Sequence, residues 1–390
     1  MKVVIVGGGF AGVKAVRELS RDRSMQVTLI SDQDYFLHHA TLYATATGRS
    51  RRESVISLND IFALHSNVTI VKDRITSIDP DRKMVIGDAA SYQYEKIVFA
   101  LGVVTTYFGI DGLAEHSYGI KTLGDVERFK QHLHDELVED RHMDKNYVVV
   151  GAGPTGVELV AALKTYLLEI AKAHQIKRAA VHLSLVEAAP RVLPRMTEAA
   201  STAVTDRLKK IGIKVMVGKK VESQTDDNVL VNGKTIPSQT VVWTSGVANH
   251  PFFAAHEQVF MLAKNGRVVV NEYLEAAPNI FVIGDNAATP YTGVASTALY
   301  DAKFIASHLK RVAYRAQLRA YVPKSWPTTV PVGDDWAIFE AGSLRITGRL
   351  GVVLRRWAEF KGYASLLPLL HAFRAWRSRY QRDEDCSVCR

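Results

Sequence analysis

The chain has 390 residues, 47% of them hydrophobic and 23% charged. At roughly 150 residues per domain this is enough for two to three domains with ample buried core, which excludes a disordered or collagen-like polymer. Its two cysteines, Cys386 and Cys389, lie in the last five residues, which excludes a disulfide-built scaffold, and Lys+Arg 49 against Asp+Glu 40 gives a net charge of +9.

That charge is concentrated. Residues 303–390 hold 16 Lys/Arg and 7 Asp/Glu, a difference of +9, so residues 1–302 are neutral overall. A basic C-terminal quarter on a neutral body suits an anionic partner, lipid or nucleic acid. No run reaches the roughly 18 consecutive apolar residues that a membrane-crossing helix needs. The opening MKVVIVGGGFAGVKAV has a short apolar run that breaks into glycines. It reads as a buried strand entering a helix rather than a secretion signal, and the cytoplasmic side is the expected location.

In chain order, Lys2–Val6 is a β-branched run that meets Gly7-Gly8-Gly9-Phe10-Ala11-Gly12. The next strand, Gln26–Ile30, leads to Ser31 and Asp32. A second run, Tyr147–Val150, meets Gly151-Ala152-Gly153-Pro154-Thr155-Gly156, 144 residues after the first. Each is a G-x-G-x-x-G between a strand and a helix. The first glycine permits the turn, the second admits a pyrophosphate, and the third lets the helix pack on the sheet. Free N–H groups at the helix start then face the phosphates. Two such loops predict two dinucleotide sites. The helix from Thr155 to about Ala173 is apolar at helical spacing, and the strand after it, Val181–Val186, ends at Glu187. A carboxylate there accepts hydrogen bonds from a ribose diol and repels a 2′-phosphate, which favours NADH over NADPH.

Further on, the strand Asn279–Ile283 ends in Gly284-Asp285, and a helix is expected from about Gly293 to Ala313. A strand ending in Gly-Asp can present a carboxylate to a sugar-alcohol hydroxyl, with a helix N-terminus aimed at the same ligand. The expected architecture is α/β, with two Rossmann-like domains. Residues 1–115 and 250–325 form the first, 116–249 form the second inserted within it, and 326–390 form a separate region. In that region short strands near Trp336–Phe339 and Leu344–Ile346 precede two helices over Val352–Tyr380, broken near Gly362 and Pro368. There Leu, Trp and Phe mix with Arg355, Arg356, Lys361, Arg374, Arg377 and Arg379. This suits an amphipathic membrane-surface helix, with Trp357 and Trp376 at the boundary and Arg reaching headgroups.

These residues resemble the two-dinucleotide-binding flavoprotein superfamily and, within it, the type II NADH dehydrogenases (NADH:quinone oxidoreductases). The stretches that carry the resemblance are GGGFAG at 7–12, FALGVVTTYFGIDG at 99–112, KTLGDVERFKQHL at 121–133, GAGPTGVELVAAL at 151–163, LVEAAPRVLP at 185–194, VVWTSGV at 241–247 and FVIGDNA at 281–287. The resemblance implies FAD in the first unit, held by Gly7, Gly9, Phe10, Ala11, Gly12, Ser31 or Asp32, Ala100, Gly102, Gly284, Asp285 and Ala295. It implies NADH in the second, held by Gly151, Gly153, Pro154, Thr155, Gly156, Glu187, Ser245 and Gly246. Hydride would pass from NADH to the flavin, and electrons would pass on to a membrane quinone without proton pumping. Glu158 falls at the family's glutamate position near flavin and nicotinamide, where it can position the carboxamide or deliver a proton. A homodimer on the cytoplasmic side of an anionic membrane is implied as well.

The chain departs from the family pattern in places. Where the family carries Ala-Gln-x-Ala-x-Gln beside the quinone, this chain has Ala295-Ser296-Thr297-Ala298-Leu299-Tyr300. Ser296 and Tyr300 retain hydroxyls that can meet a quinone carbonyl. The family's Ala-Thr-Gly is Ala100-Leu101-Gly102, and Ser31 stands where the usual acid follows the second strand. No thiol is placed for disulfide or cysteine-based sulfide chemistry. The 13 histidines show no metal spacing, so no metal is expected. A soluble NADH-dependent reductase with a non-quinone acceptor is the alternative reading. No nucleic-acid module is recognisable, so no nucleic acid is expected.

Overall fold

The computed structural model describes residues 1–176 and 181–382. Cys386 and Cys389 lie outside the described residues.

Strand β1 (Lys2–Val6) enters α1 (Phe10–Leu19), and β2 (Gln26–Ser31) returns parallel to β1. Helix α2 (His39–Ala46), β3 (Val68–Lys72) and β4 (Lys96–Phe99) follow. Strand β5 (Val103–Thr105) then leaves this unit. The second unit contains β6 (Tyr147–Val150), α3 (Pro154–Ala173), β7 (Leu183–Glu187), α4 (Glu198–Lys210), β8 (Ile213–Val217) and β9 (Thr240–Trp243). Strand β10 (Val247–Asn249) pairs antiparallel with β5 and carries the chain back. Strands β11 (Glu275–Ala277) and β12 (Ile280–Val282) and helix α5 (Ala295–Ala313) complete the first unit.

The first sheet has the order β11-β12-β4-β1-β2-β3 and the second β8-β7-β6-β9. All neighbours pair parallel except β11. Both central strands are apolar at successive positions because both faces are covered. On β1, Val3 and Ile5 join one core cluster while Val4 and Val6 join another. On β6, Tyr147 and Val149 face one core while Val148 and Val150 face the other. The crossing between units falls at β5 and β10, ahead of the expected boundary at 115. Leu113 is fully buried among second-unit strand residues such as Val148 and Trp243.

The C-terminal region is not separate. Its antiparallel sheet, β13 (Thr328–Pro331), β14 (Ala337–Ala341) and β15 (Leu344–Gly348), sends Val330 and Ile338 into the second unit's core. Helices α6 (Arg349–Leu366) and α7 (Leu369–Arg377) send Tyr363, Leu366 and Ala372 into the first unit's core. Gly362 does not break α6, contrary to expectation. A lone glycine costs a helix only about 1 kcal/mol. Only Leu367-Pro368 ends it, because proline forces the preceding residue out of helical geometry, and Leu367 sits at φ −112, ψ 156.

The expected consequence of so tight a glycine contact is severe. A Cβ on Gly12 would lie 1.8 Å from the Gly7 carbonyl oxygen. Gly12→Ala should therefore destabilise the chain by more than about 3 kcal/mol, read as a drop in thermal midpoint.

Candidate functional site

The two glycine loops are geometrically equivalent. Gly7 and Gly151 both have positive φ, +115 and +106. Their amides donate to the neighbouring strands at Ile30 and Val186, at 2.8 and 2.7 Å. A Cβ on either would collide across the sheet, at 2.3 Å from the Ala100 oxygen or 2.2 Å from the Ser245 Oγ. Gly12 and Gly156 press against the carbonyls of Gly7 and Gly151, each at 1.8 Å for an added Cβ. The middle glycines differ from these: a Cβ on Gly9 or Gly153 would meet nothing within 4 Å. That is the open side of each cradle. Helices α1 and α3 begin there with no side-chain cap and no acidic residue in the first turn. Their free N–H groups and positive helix ends therefore suit phosphate.

The strand that follows each loop ends alike. Ser31 closes β2 and Glu187 closes β7, one residue past the carbonyls that accept from Gly7 and Gly151. Glu187 accepts hydrogen bonds from the amides of Ala152 at 2.6 Å and Ala189 at 2.8 Å, so its carboxylate lies against the second loop. Ser31 is buried under the first loop, with its Oγ 2.6 Å from where a Gly8 Cβ would be. Asp32 is exposed at the next position, so Ser31 holds the place equivalent to Glu187.

A third strand end converges on the first loop. Gly284, at φ +68, packs between Ala11 and Ala298, with an added Cβ at 3.2 and 3.7 Å from their side chains. The starts of α1 and α5 therefore meet at the Gly-Asp turn. Asp285 accepts from the Gly293 amide at 3.1 Å. Ala295 opens α5 behind an N-cap, Val294, that makes no side-chain cap. Two residues hold this corner that the sequence did not single out. Asn286, fully buried, accepts from the Gly102 amide at 2.8 Å and donates to its carbonyl at 2.6 Å. It thereby clamps Ala100-Leu101-Gly102 to the Gly-Asp turn. Asp301, fully buried, accepts from the Gly284 amide at 3.1 Å and the Tyr321 hydroxyl at 2.6 Å, and burial pushes its carboxyl up to about 6. A side-chain amide two residues past a strand-ending glycine was the available signal for Asn286.

Of the expected quinone residues, Ser296 is half-buried on the first turn of α5. Tyr300 is turned elsewhere. Its hydroxyl donates to the Val322 carbonyl at 3.1 Å, and its ring packs near Trp326 with Lys324 above it, at 5.7 and 5.0 Å. Thr122 and Asp125 in the lysine-threonine segment form a reciprocal cap for the helix Leu123–His134. That segment is partly a folding signal.

Glu158 is buried on α3, and its Oε1 lies 3.3 Å from Arg355. Arg355 also binds Glu359 at 2.6 Å and donates to the carbonyls of Thr329 and Ala40, at 3.0 and 3.3 Å. Arg379 binds the other oxygen of Glu359 at 3.1 Å. Glu359 therefore has two guanidinium partners, which hold it below the usual carboxylate range against the effect of burial. Glu158 has one, at longer range. Burial, only partly offset by Arg355 and reinforced by repulsion from Glu359, pushes it up to about 7. Glu53, also buried, is pushed by burial to about 7, and its Oε2 has no hydrogen-bond partner. Arg355 and Arg379 are thus internal ion-pair residues and do not reach headgroups, contrary to the amphipathic reading of the tail. Trp376 also turns inward, its indole N–H donating to the Arg356 carbonyl at 3.1 Å.

Among the described residues, His134, Asp135 and Glu139 are close enough together to suit a cation, but two are exposed acids at a helix end. They carry no metal assignment.

Comparisons with known proteins agree with the loop geometry. The pyridine nucleotide-disulphide oxidoreductase family model matches residues 1–302. A type II NADH:quinone oxidoreductase of Mycobacterium tuberculosis is 30% identical over 393 residues, covering 94% of this chain and 82% of that one. The chain belongs to the type II NADH:quinone oxidoreductases. A Staphylococcus epidermidis member of that family is 28% identical over 333 residues, covering 80% of this chain and 82% of its own. The fold matches Plasmodium falciparum NDH2 solved with NADH at a TM-score of 0.86 and 18% identity, covering 97% and 98% of the two chains. It also matches the sulfide:quinone oxidoreductase of Aquifex aeolicus at a TM-score of 0.78 and 20% identity, over 97% and 91%. This chain has no cysteine before Cys386, so none of the described residues brings a thiol to the site.

Three outcomes are expected. Gly153→Val fills open space, so the protein should fold and keep its flavin but lose NADH affinity, read as KM. Glu187→Ala should lower the kcat/KM preference for NADH over NADPH by about tenfold. The third concerns stability. A folded carboxyl near 7 against an ordinary 4.5 binds more protons than the unfolded chain between those values. Its stabilisation is complete below 4.5 and is lost as pH rises through about 7. Thermal unfolding should show this fall, and Glu158→Gln should flatten part of it.

Proposed function

We propose that this chain oxidises NADH and passes the electrons, through FAD, to a membrane quinone. The observation that carries this reading is the duplicated cradle. Two equivalent loops each leave their middle glycine open beside an uncapped helix start, in a chain that belongs to the type II family. FAD supplies the two-electron chemistry when bound. Gly7, Gly9, Phe10, Ala11 and Gly12 would hold its pyrophosphate and Ser31 its ribose. Ala100, Gly102 and the Gly284-Asp285 turn would hold the far end. The start of α5 at Ala295 would direct its positive end there. Gly151, Gly153, Pro154, Thr155 and Gly156 would bind NADH phosphates, and Glu187 would take its ribose hydroxyls. Ser245 and Gly246, at the end of β9, would line the nicotinamide side. The protein's work is alignment. Ser296 is the proposed quinone contact. The Tyr300 hydroxyl is not part of that contact because it already donates to the Val322 carbonyl.

The membrane contact is assigned to the outer faces of the C-terminal helices. Among the described residues no helix is long and apolar enough to cross a membrane. Leu350, Val353 and Trp357 form an exposed stripe on α6, and Leu369, Leu370 and Phe373 form one on α7. Lys361, over the Trp357 ring at 3.6 Å, and the exposed Arg374 and Arg377 supply cations at the edge. Such faces suit peripheral attachment to the cytoplasmic side of an anionic membrane. Truncating the region would remove core residues such as Tyr363 and Leu366, so surface substitution is the cleaner test.

In anaerobic stopped flow, NADH should bleach the flavin rapidly, and a quinone analogue should restore it. Bleaching without quinone-dependent recovery would select the alternative, an NADH reductase with another acceptor. Replacing Leu369, Leu370 and Phe373 together by Ser should release the protein from anionic vesicles in a flotation assay, with flavin content unchanged.

A further inference from the structure

Asp301 lies on α5 and is fully buried. Both of its carboxylate oxygens are engaged. One accepts from the Gly284 amide at 3.1 Å and the other from the Tyr321 hydroxyl at 2.6 Å. Neither partner is a cation, and among the described residues no lysine, arginine or histidine offsets its charge. A fully buried aspartate is rare unless it is paired with a charge. Hydrogen bonding alone does not call for one here. An asparagine of the same shape accepts from Gly284 and donates to a turned Tyr321 hydroxyl, without the cost of burying a charge. The ionisable group itself therefore needs a reason.

Its place in the fold supplies one. Gly284 and Asp285 form the turn assigned above to the flavin, and Asp301 holds that turn through the Gly284 amide. Asp301 follows Ala295 by six residues. That is about 9 Å along the helix axis. The positive start of α5 is directed at the flavin, and a carboxylate this close opposes it. Two unit charges about 10 Å apart inside a protein still shift each other's equilibria by roughly tenfold. Tyr321 belongs to the stretch between Ala313 and Thr328, which has no helix or strand. Its amide donates to the Glu272 carbonyl at 2.7 Å, and its ring meets Phe304 edge-on at 5.2 Å. Its hydroxyl is thus a fixed donor that favours the ionised carboxyl. Burial and the facing Asp285 oppose ionisation. Tyr300 packs on Tyr321 at 5.7 Å and donates to Val322. On α1, which packs along α5, Lys14 and Glu18 bind each other at 2.7 Å. The balance leaves the Asp301 carboxyl at about 6, so it changes charge just below neutral pH.

We propose that Asp301 is a positioning residue that sets the reduction potential of the bound flavin, acting at the Gly284-Asp285 turn and held there by Tyr321. A hydride from NADH brings two electrons and one proton and leaves one net negative charge on the flavin. The Asp301 carboxylate disfavours that charge and so holds the potential down. Protonation of Asp301 removes the effect. The proposal rests on the flavin reading above.

The test is dye-equilibrated potentiometry of the flavin in the full holoenzyme, wild type against Asp301→Asn, from about pH 5 to about pH 8. At the upper end the variant should favour reduced over oxidised flavin by about tenfold more than wild type, a rise of about 30 mV for a two-electron couple. At the lower end, where Asp301 is protonated, the two potentials should converge. A residue that merely braced the turn would shift the potential equally at every pH. Tyr321→Phe keeps the ring and removes the donor, so near neutral pH its potential should lie between the other two. Equal potentials for wild type and Asp301→Asn at every pH, or a constant offset between them, would overturn the proposal. If Asp301→Asn does not fold, Tyr321→Phe carries the test, and a potential identical to that of wild type across the range would overturn it. Wild-type protein that holds no flavin would defeat the cofactor reading itself, and the proposal with it.

Discussion

One buried guanidinium joins four segments that lie far apart in the chain. Arg355 on α6 binds Glu158 on α3 and Glu359 on its own helix, and it donates to the backbone at Ala40 and Thr329. Those contacts reach the first unit, the second unit and the C-terminal sheet. Removing one partner from a buried pair of this kind typically costs about 3–5 kcal/mol, because the other charge is left unpaired. The relative position of the two cradles depends on that junction. So does the charge of Glu158, which Arg355 partly stabilises.

The cradles themselves are a local solution used twice. A glycine at positive φ, an open glycine and a tightly packed glycine recur in the same order. The difference between them lies at the end of the following strand, where Ser31 stands in one and Glu187 in the other. A hydroxyl can donate or accept, whereas a carboxylate only accepts and also repels phosphate. The same backbone can therefore serve two dinucleotides with different demands at the ribose. Asn286 then binds the third strand end to Gly102, and Asp301 binds it to α5, each through a backbone amide rather than through a ligand contact.

Over Val352–Tyr380 arginines and aromatic residues alternate at helical spacing, a pattern that suits a lipid-facing helix. Periodicity reports which residues share a stripe, not whether that stripe meets lipid or another helix. Trp357 and Lys361 do lie outside. Arg355, Arg379 and Trp376 fall on inner stripes, where carboxylates and carbonyls of other segments receive them. The same chemistry that suits a headgroup also suits a buried glutamate.

The sequence by itself determined the two strand–loop–helix units, the Gly-Asp strand end and the family, because each rests on residues close together in the chain. Glycine spacing fixes backbone geometry within a few residues, and β-branched runs declare buried strands without help from distant partners. It determined Glu187 in the same way, as the last residue of a strand. What Glu158 faces, where Tyr300 spends its hydroxyl, and which arginines are internal were decided only by the tertiary structure. Those outcomes depend on groups such as Arg355, Val322 and Glu359, which no local pattern connects to them.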